Sequence, residues 1–375
     1  MNSEVMSTNN LENSILSAEK FNIKGNIISS VPFGSGHIND TFKIITDSDT
    51  TEQYLLQRIN HHVFRNVDGL MANIEKVCNH LKKKLAHLGD KEVLKRTMTL
   101  IPTLDGKHYY EDNNGDFWRI FILIPDTRSY DILETTDQAF SGGLAFGQFQ
   151  KQLSDLDPTT IVEVLPNFHN IEFRMNNLRE AIAKDAASRV AEVQDLLDYI
   201  FEREGKMRTV LELGRANRLP LRITHNDTKF NNVLLDANDQ VQCVIDLDTV
   251  MPGYVAYDFG DAIRTIINSA AEDEADVSKI VLNIPLFAAF TAGYLSEAKE
   301  FLTKTEAESL IHGVHLLPYM QAVRFLTDYI DGDTYYKIAY PEHNLVRTKA
   351  QLKLVQELEA NHQVLTDILA ENLNS

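Results

Sequence analysis

Residues 223–249 read ITHNDTKFNNVLLDANDQVQCVIDLDT, and the fold turns on this stretch. It contains His225-x-Asp227-x-x-x-x-Asn232, then two short apolar runs at 232–235 and 241–245. Asp236-Ala-Asn-Asp joins them, and that composition marks a hairpin turn. Asp246 follows the second run directly, 19 residues past Asp227. Moving a phosphoryl group from ATP to an alcohol requires a carboxylate that aligns the hydroxyl and takes its proton. It also requires an amide oxygen and a second carboxylate that hold Mg2+ against the phosphates. Asp227 suits the first task, and Asn232 and Asp246 suit the second. The hairpin folds the intervening chain back, so one site can collect all three.

The spacing matches the protein-kinase catalytic loop followed by its metal-binding aspartate. Asp258-Phe259-Gly260 spells the kinase DFG triplet, but it lies 31 residues after Asp227 and opens a helical segment. The metal role therefore goes to Asp246, and Asp258 is expected to cap a helix starting near Gly260. A competing motif overlaps the same residues. Asp246-Leu-Asp248-Thr-Val fits the D-x-D nucleophile signature of haloacid dehalogenase-like phosphatases, with Asp246 as nucleophile and Asp248 as general acid. That chemistry expects its strand to be the first of a parallel α/β sheet, whereas here the strand ends a short hairpin.

Working outward, the chain changes character once. Up to about residue 125 it reads as short strands at 25–33, 41–45 and 53–59, a charged amphipathic helix at 67–86, and strands ending at Tyr110 and spanning 117–124. Beyond Pro125 helical periodicity dominates, at 138–152, 171–213, 310–330 and 352–369, with the hairpin as the one β island. The expectation is an α+β, protein-kinase-like two-lobe fold. Residues 1–125 would form a small β-rich nucleotide lobe and 126–375 a larger, mainly helical catalytic lobe. In the first turn, Gly34-Ser35-Gly36 lets the backbone approach phosphates. On the third strand Arg58 is the candidate cation for the α and β phosphates, with Glu75 on the following helix as its partner.

Composition narrows the class further. The 375 residues carry 54 acidic and 36 basic side chains, a formal charge of −18, which argues against a protein that tracks nucleic-acid phosphates. The two cysteines, Cys78 and Cys243, lack metal-ligand spacing. No secretory leader is evident, and the apolar run at 280–295 is too short to span a bilayer. A soluble, cytoplasmic protein is expected, with a small molecule and ATP as its partners. No motif fixes its oligomeric state.

These motifs resemble the aminoglycoside phosphotransferase and choline kinase superfamily. The blocks FGSGHINDT, HNDTKFNNVLLD, VIDLDTVMPG, FLTDYIDGDTYY and YPEHNLVRTKAQLKLVQELE are most similar to its bacterial branch acting on N-acetylhexosamines. That resemblance covers residue 20 to the C-terminus. It implies transfer of the ATP γ-phosphate to the anomeric hydroxyl of N-acetylglucosamine or N-acetylgalactosamine. It further implies that Asp227 is the base, that Asn232 and Asp246 bind Mg2+, and that His37, Thr249, Arg324 and Tyr335 contact the sugar. Kinases of choline, homoserine or aminoglycosides remain alternatives, as does a non-catalytic pseudokinase sensor.

Overall fold

The computed structural model describes residues 8–34, 38–48, 52–268 and 270–374. After an opening helix, α1 (Thr8–Ala18), come strands β1 (Ile27–Pro32), β2 (Asp40–Thr46) and β3 (Tyr54–Ile59). Helices α2 (Val67–Leu85) and α3 (Asp90–Arg96) follow, then β4 (Leu100–Ile101), β5 (Tyr110–Glu111) and β6 (Phe117–Ile122). The strands form one sheet in the order β1-β2-β3-β6-β4, with β5 added on β6. Each pairing is antiparallel.

Side chains alternate between the two faces of a sheet. Phe42, Ile44, Tyr54, Leu56, Trp118 and Ile120 bury one face together with Ala18 and Phe21, at the end of α1 and just beyond it. Gln57 and Arg119, directly opposite each other in the β3–β6 register, belong to the other face. That second face looks toward the helical part of the chain, because Arg119 reaches Asp248 there. The order of three strands, helix and strands matches the sequence pattern, which did not signal α1 or α3.

Between the sheet and the helices the chain is strapped to the later hairpin, since Arg128 and Leu235 exchange both backbone hydrogen bonds at 2.9 Å. Next come α4 (Thr136–Leu153), α5 (Ile171–Lys184), α6 (Gln194–Met207) and α7 (Thr209–Arg215). A β island follows, made of β7 (Arg222–Thr224), β8 (Val233–Leu235), β9 (Val241–Val244) and β10 (Met251–Gly253). Finally α8 (Val255–Ile266), α9 (Ile284–Ala298), α10 (Lys304–Ile330), α11 (His343–Ala360) and α12 (His362–Asn374) close the chain. Among the described residues no helix is long and apolar enough to cross a membrane.

Two expected helices are broken. The stretch 171–213 divides because Asp185 and Ser188 adopt left-handed backbone, with φ of 40° and 56°. The Asp185 carboxylate then accepts the backbone N–H groups of Arg189 and Val190, four and five residues on, a local side-chain contact that competes with helix continuation. The stretch 352–369 is interrupted at Asn361, where α11 ends and α12 starts. Conversely, the apolar run near 280–295 forms α9, with Asn283 accepting from the Leu286 N–H at its start.

Two core clusters hold the helical part. One joins α2, α4, α8 and α9 around Phe146, Phe259, Phe287 and Phe290. The other joins α5, α6, α10 and α11 around Met175, Ile200, Tyr319 and Val323. At two crossings backbone meets backbone. A Cβ on Gly313 of α10 would stand 1.8 Å from the Ala256 carbonyl oxygen of α8. One on Gly143 of α4 would stand 2.1 Å from the Phe290 carbonyl of α9. Any larger residue there would push the helices apart.

Candidate active site

The β island builds the site. β7 and β10 pair antiparallel, so the loop leaving β7 at His225 starts from a fixed point. Hairpin β8–β9 brings the chain back, and the Ile245 N–H donates to the Asn232 carbonyl at 2.9 Å, tying the second loop to the first. Asp246 then turns sharply with φ of 61°, a conformation that aspartate tolerates better than most residues.

His225 is a spacer between the loops. Its Nε2 lies 2.9 Å from the Ile245 carbonyl, and its Nδ1 accepts from the Asp227 N–H at 3.3 Å. One neutral tautomer, protonated on Nε2, satisfies both contacts. Asn232 donates Nδ2 to the Asp227 carbonyl at 2.8 Å and lies 3.3 Å from its Oδ2. Lys229 Nζ lies 3.1 Å from Asp227 Oδ1. Burial works to strip the Lys229 proton, but Asp227 and Asp261 outweigh it and the net shift is upward. The structure therefore brings Asp227, Asn232 and Asp246 together.

Asp258 is the largest correction to the sequence reading. It lies inside α8 instead of capping a helix at Gly260, and its carboxylate points back into the core. There it accepts the His225 N–H at 2.8 Å, the Asn226 N–H at 2.7 Å and Gln150 Nε2 at 2.7 Å. Gln150 in turn accepts from the Tyr294 hydroxyl at 2.5 Å. One buried carboxylate thus fixes the loop that carries Asp227, using anchors from α4, α8 and α9. Thr228 is held similarly, its N–H 3.1 Å from Asp261 Oδ2.

The expected Arg58–Glu75 pair does not form. Arg58 belongs to the face with Trp118, its guanidinium 6.0 Å from that ring, and it bonds Asp40 and Asp116. Glu75 pairs instead with His108 at 3.1 Å. The cation on the cleft face comes from the neighbouring strand. Arg119 is 2% exposed and grips Asp248, Nη1 to Oδ1 at 2.6 Å and Nη2 to Oδ2 at 2.9 Å, while its Nε donates to Gln57 at 3.0 Å. Asn39 Nδ2 adds a 2.7 Å bond to Asp248. Sequence reasoning passed over this latch, although a lone arginine inside the apolar run Phe117-Trp-Arg-Ile-Phe was a visible signal.

Thr249 is buried, and its hydroxyl donates to the His225 carbonyl at 2.7 Å, so it braces the loop. Arg324 on α10 does not pair with Asp328. That aspartate gathers the N–H groups of Thr334, Tyr335 and Tyr336 at 2.7–2.9 Å. Tyr335 is 70% exposed, its ring centroid 4.8 Å from that of Tyr336. Gly34 has left-handed backbone with φ of 77°. Ser35, Gly36 and His37 lie outside the described residues.

The donor set suits a hard divalent cation. Asp246 opens to the cleft, and its carboxylate takes no hydrogen bond or ion pair from a described residue. Its carboxyl is raised above the ordinary range, first because surrounding protein removes water, then because Asp248 and Asp227 crowd it with negative charge. Asn232 commits its Nδ2 to Asp227, which leaves its amide oxygen available. Among the described residues no group of three or more His, Cys, Asp or Glu forms a closed cage. Mg2+ is commonly held by one or two protein ligands with substrate phosphates completing the shell.

Fold and site together define a class. The model of the phosphotransferase enzyme family that takes in the aminoglycoside phosphotransferases matches residues 30–281, and the chain belongs to that family. Among solved structures, an aminoglycoside phosphotransferase from Alicyclobacillus acidocaldarius is similar over 95% of this chain and 94% of its own, with TM-score 0.58 and 12% identity. Spectinomycin phosphotransferase, in complex with ADP and spectinomycin, is similar over 98% and 99%, with TM-score 0.55 and 11% identity. Choline kinase from Cryptosporidium parvum is similar over 90% and 92%, with TM-score 0.51 and 14% identity. These likenesses establish a protein-kinase-like fold with an antiparallel β lobe and a helical lobe.

Proposed function

We propose that this phosphotransferase is an ATP-dependent kinase of N-acetylhexosamines, acting on the anomeric hydroxyl. One observation carries the chemistry: Asp227 and Asn232 lie within hydrogen-bond reach of each other, on a loop tied directly to the one bearing Asp246. The acceptor class rests on the sequence blocks around His37, residues 225–253 and residues 325–359, which resemble those of the N-acetylhexosamine 1-kinases. Asp227 orients the sugar hydroxyl and accepts its proton as the bond to phosphorus forms. An anomeric hydroxyl is more acidic than an ordinary alcohol, so positioning is the larger part of that task. Lys229 Nζ, 3.1 Å from Asp227 Oδ1, holds that carboxylate in place. Asn232 and Asp246 would hold Mg2+, which neutralises the charge building on the transferring group. His37, Thr249, Arg324 and Tyr335 are assigned to the acceptor side, with Thr249 acting through the loop it braces. The glycine turn at 34–36 is assigned to the nucleotide phosphates. An ATP-dependent sugar kinase of this kind would work in the cytoplasm.

The phosphatase alternative has less support. β9 pairs antiparallel with β8, and Asp248 is buried against Arg119 and Asn39, so it cannot serve as a mobile general acid. The deciding experiment is ³¹P NMR of the protein with Mg·ATP and N-acetylglucosamine beside Asp227→Asn. A sugar 1-phosphate resonance in the first sample alone is expected. Phosphate at another carbon would overturn the anomeric assignment.

A further inference from the structure

A cavity of about 500 Å³ opens in the β lobe, between the turn from β3 to α2 and the strands β5 and β6. His61, His62, Arg65 and Asp68 line it from the turn and the start of α2, and Tyr109 and Phe117 from the β5–β6 side. Its volume lies within the range of small-ligand pockets. None of these side chains bonds Asp227, Asn232 or Asp246, whose described contacts lie elsewhere, so the cavity is separate from the candidate active site.

The turn itself is held in one shape. Asn60 Oδ1 accepts the N–H groups of His62 at 3.2 Å and Val63 at 3.3 Å, and the Asn60 carbonyl takes the Phe64 N–H at 2.9 Å. Phe64 is buried and pins the turn to the core. The polar groups on this fixed turn spend little on the protein. The Arg65 side chain makes no hydrogen bond, ion pair or ring contact with a described residue. The two imidazoles make ring contacts only, with centroids 4.3 Å apart and His61 5.4 Å from Phe117. Asn66 uses Oδ1 on the Gly69 N–H and keeps Nδ2 free, and Asp68 uses Oδ1 on the Tyr109 hydroxyl and keeps Oδ2 free.

We infer that this cavity binds a neutral saccharide ring, at a site apart from the catalytic centre. Three observations select that class. The charges of Arg65 and Asp68 offset each other, so neither a phosphate nor an ammonium group meets a net attraction. Guanidinium, amide and carboxylate stand within four residues and present donors beside acceptors, which suits adjacent hydroxyls that both donate and accept. Tyr109 and Phe117, with ring centroids 5.9 Å apart, pack partly against the core and offer apolar surface to the C–H face of a sugar. The site also lies one step from the link between the sheet and Asp248. The Asn60 N–H donates to Asn39 Oδ1 at 2.9 Å, and Asn39 Nδ2 donates to Asp248. A bound ring would rest against the turn that begins at Asn60.

The test is ¹H–¹³C NMR of the full chain labelled at histidine, titrated with methyl β-D-glucopyranoside without nucleotide. The methyl group blocks the anomeric position, so the readout is binding alone and stands whatever reaction the enzyme performs. The His61 and His62 signals, assigned by their loss in His61→Gln and His62→Gln, should shift and saturate in the millimolar range. Arg65→Ala should weaken that affinity about tenfold, the worth of one hydrogen bond to a charged group. Asp68→Asn, a conservative change at an exposed position, should weaken it as well, which guards against a folding defect in either variant. Absence of a shift in both histidines would overturn the proposal, and so would a shift unaltered in both variants. Inorganic phosphate and choline chloride serve as charged probes; a stronger response to either would overturn the neutral-ring assignment.

Discussion

Arg119→Met should be among the most damaging single substitutions in this chain, and Asp248 is the reason. The two side chains are 2% and 4% exposed and meet at 2.6 Å. Removing the cation leaves a buried carboxylate facing only Asn39, and breaking such a pair costs about 3–5 kcal/mol. Total stabilities of domains are about 5–15 kcal/mol, so one variant would lose a large share. Removing both charges, in Arg119→Met with Asp248→Leu, also removes the desolvation cost, and such replacements are often close to neutral. Urea denaturation of wild type, both single variants and the double variant gives the coupling; with each single variant losing about 3–5 kcal/mol and the double close to wild type, it is expected at about 6 kcal/mol or more in favour of the pair. If the double variant lost the sum of the two single losses, the pair would not be acting as a unit and this reasoning would fail. Because Asp248 lies two residues from Asp246, the single variant should also need more Mg2+ for half-maximal activity.

Asp258→Asn puts an amide among three donors, which should cost about 3 kcal/mol or more and lower kcat along with the melting temperature; an unchanged kcat would show that the loop holds itself. Asp227→Asn should lower kcat by about 10²- to 10⁴-fold with little change in nucleotide affinity, measured by titration with Mg·ADP. Acid should destabilise the fold above the range where ordinary carboxylates titrate. Burial pushes His169 down to about 4 and His315 to about 3, so the unfolded chain takes up protons near pH 6.5 that the folded chain refuses. Stability is then complete above pH 6.5 and falls with pH toward those values, by about 2 kcal/mol per histidine at pH 5. Melting curves at pH 7.5 and 5.0 for wild type and His315→Asn would show it, the variant losing less on acidification. Gly313→Ala should lower the melting temperature sharply, since its methyl group would meet the α8 backbone; a small change would mean that the crossing can open.

What the sequence made readable was local. The 225–249 stretch carries its own spacing, turn composition and strand signals, so the loop from His225 to Asn232, the hairpin β8–β9 and the turn at Asp246 were all legible. What escaped was set by partners distant in sequence. Arg58 and Arg119 differ in role because strand parity puts one beside Trp118 and the other opposite Gln57, and the register between β3 and β6 is not written in either strand. Asp258 could be recognised as structural, but its actual partners, His225, Asn226 and Gln150, lie 33, 32 and 108 residues away. The break at Asp185 depended on turn chemistry competing with a continuous apolar stripe, and the turn prevailed.

The anchoring of Asp227 has an implication for how such an enzyme could change its substrate. The reaction loop hangs from Asp258, Gln150 and Tyr294, on α8, α4 and α9. Arg324, which the proposed function assigns to the acceptor, stands on α10, and Tyr335 lies just beyond the end of that helix. Neither is among the anchors of the loop. On that assignment, acceptor-facing residues of α10 could be exchanged during evolution, or by an engineer, while Asp227 stayed seated.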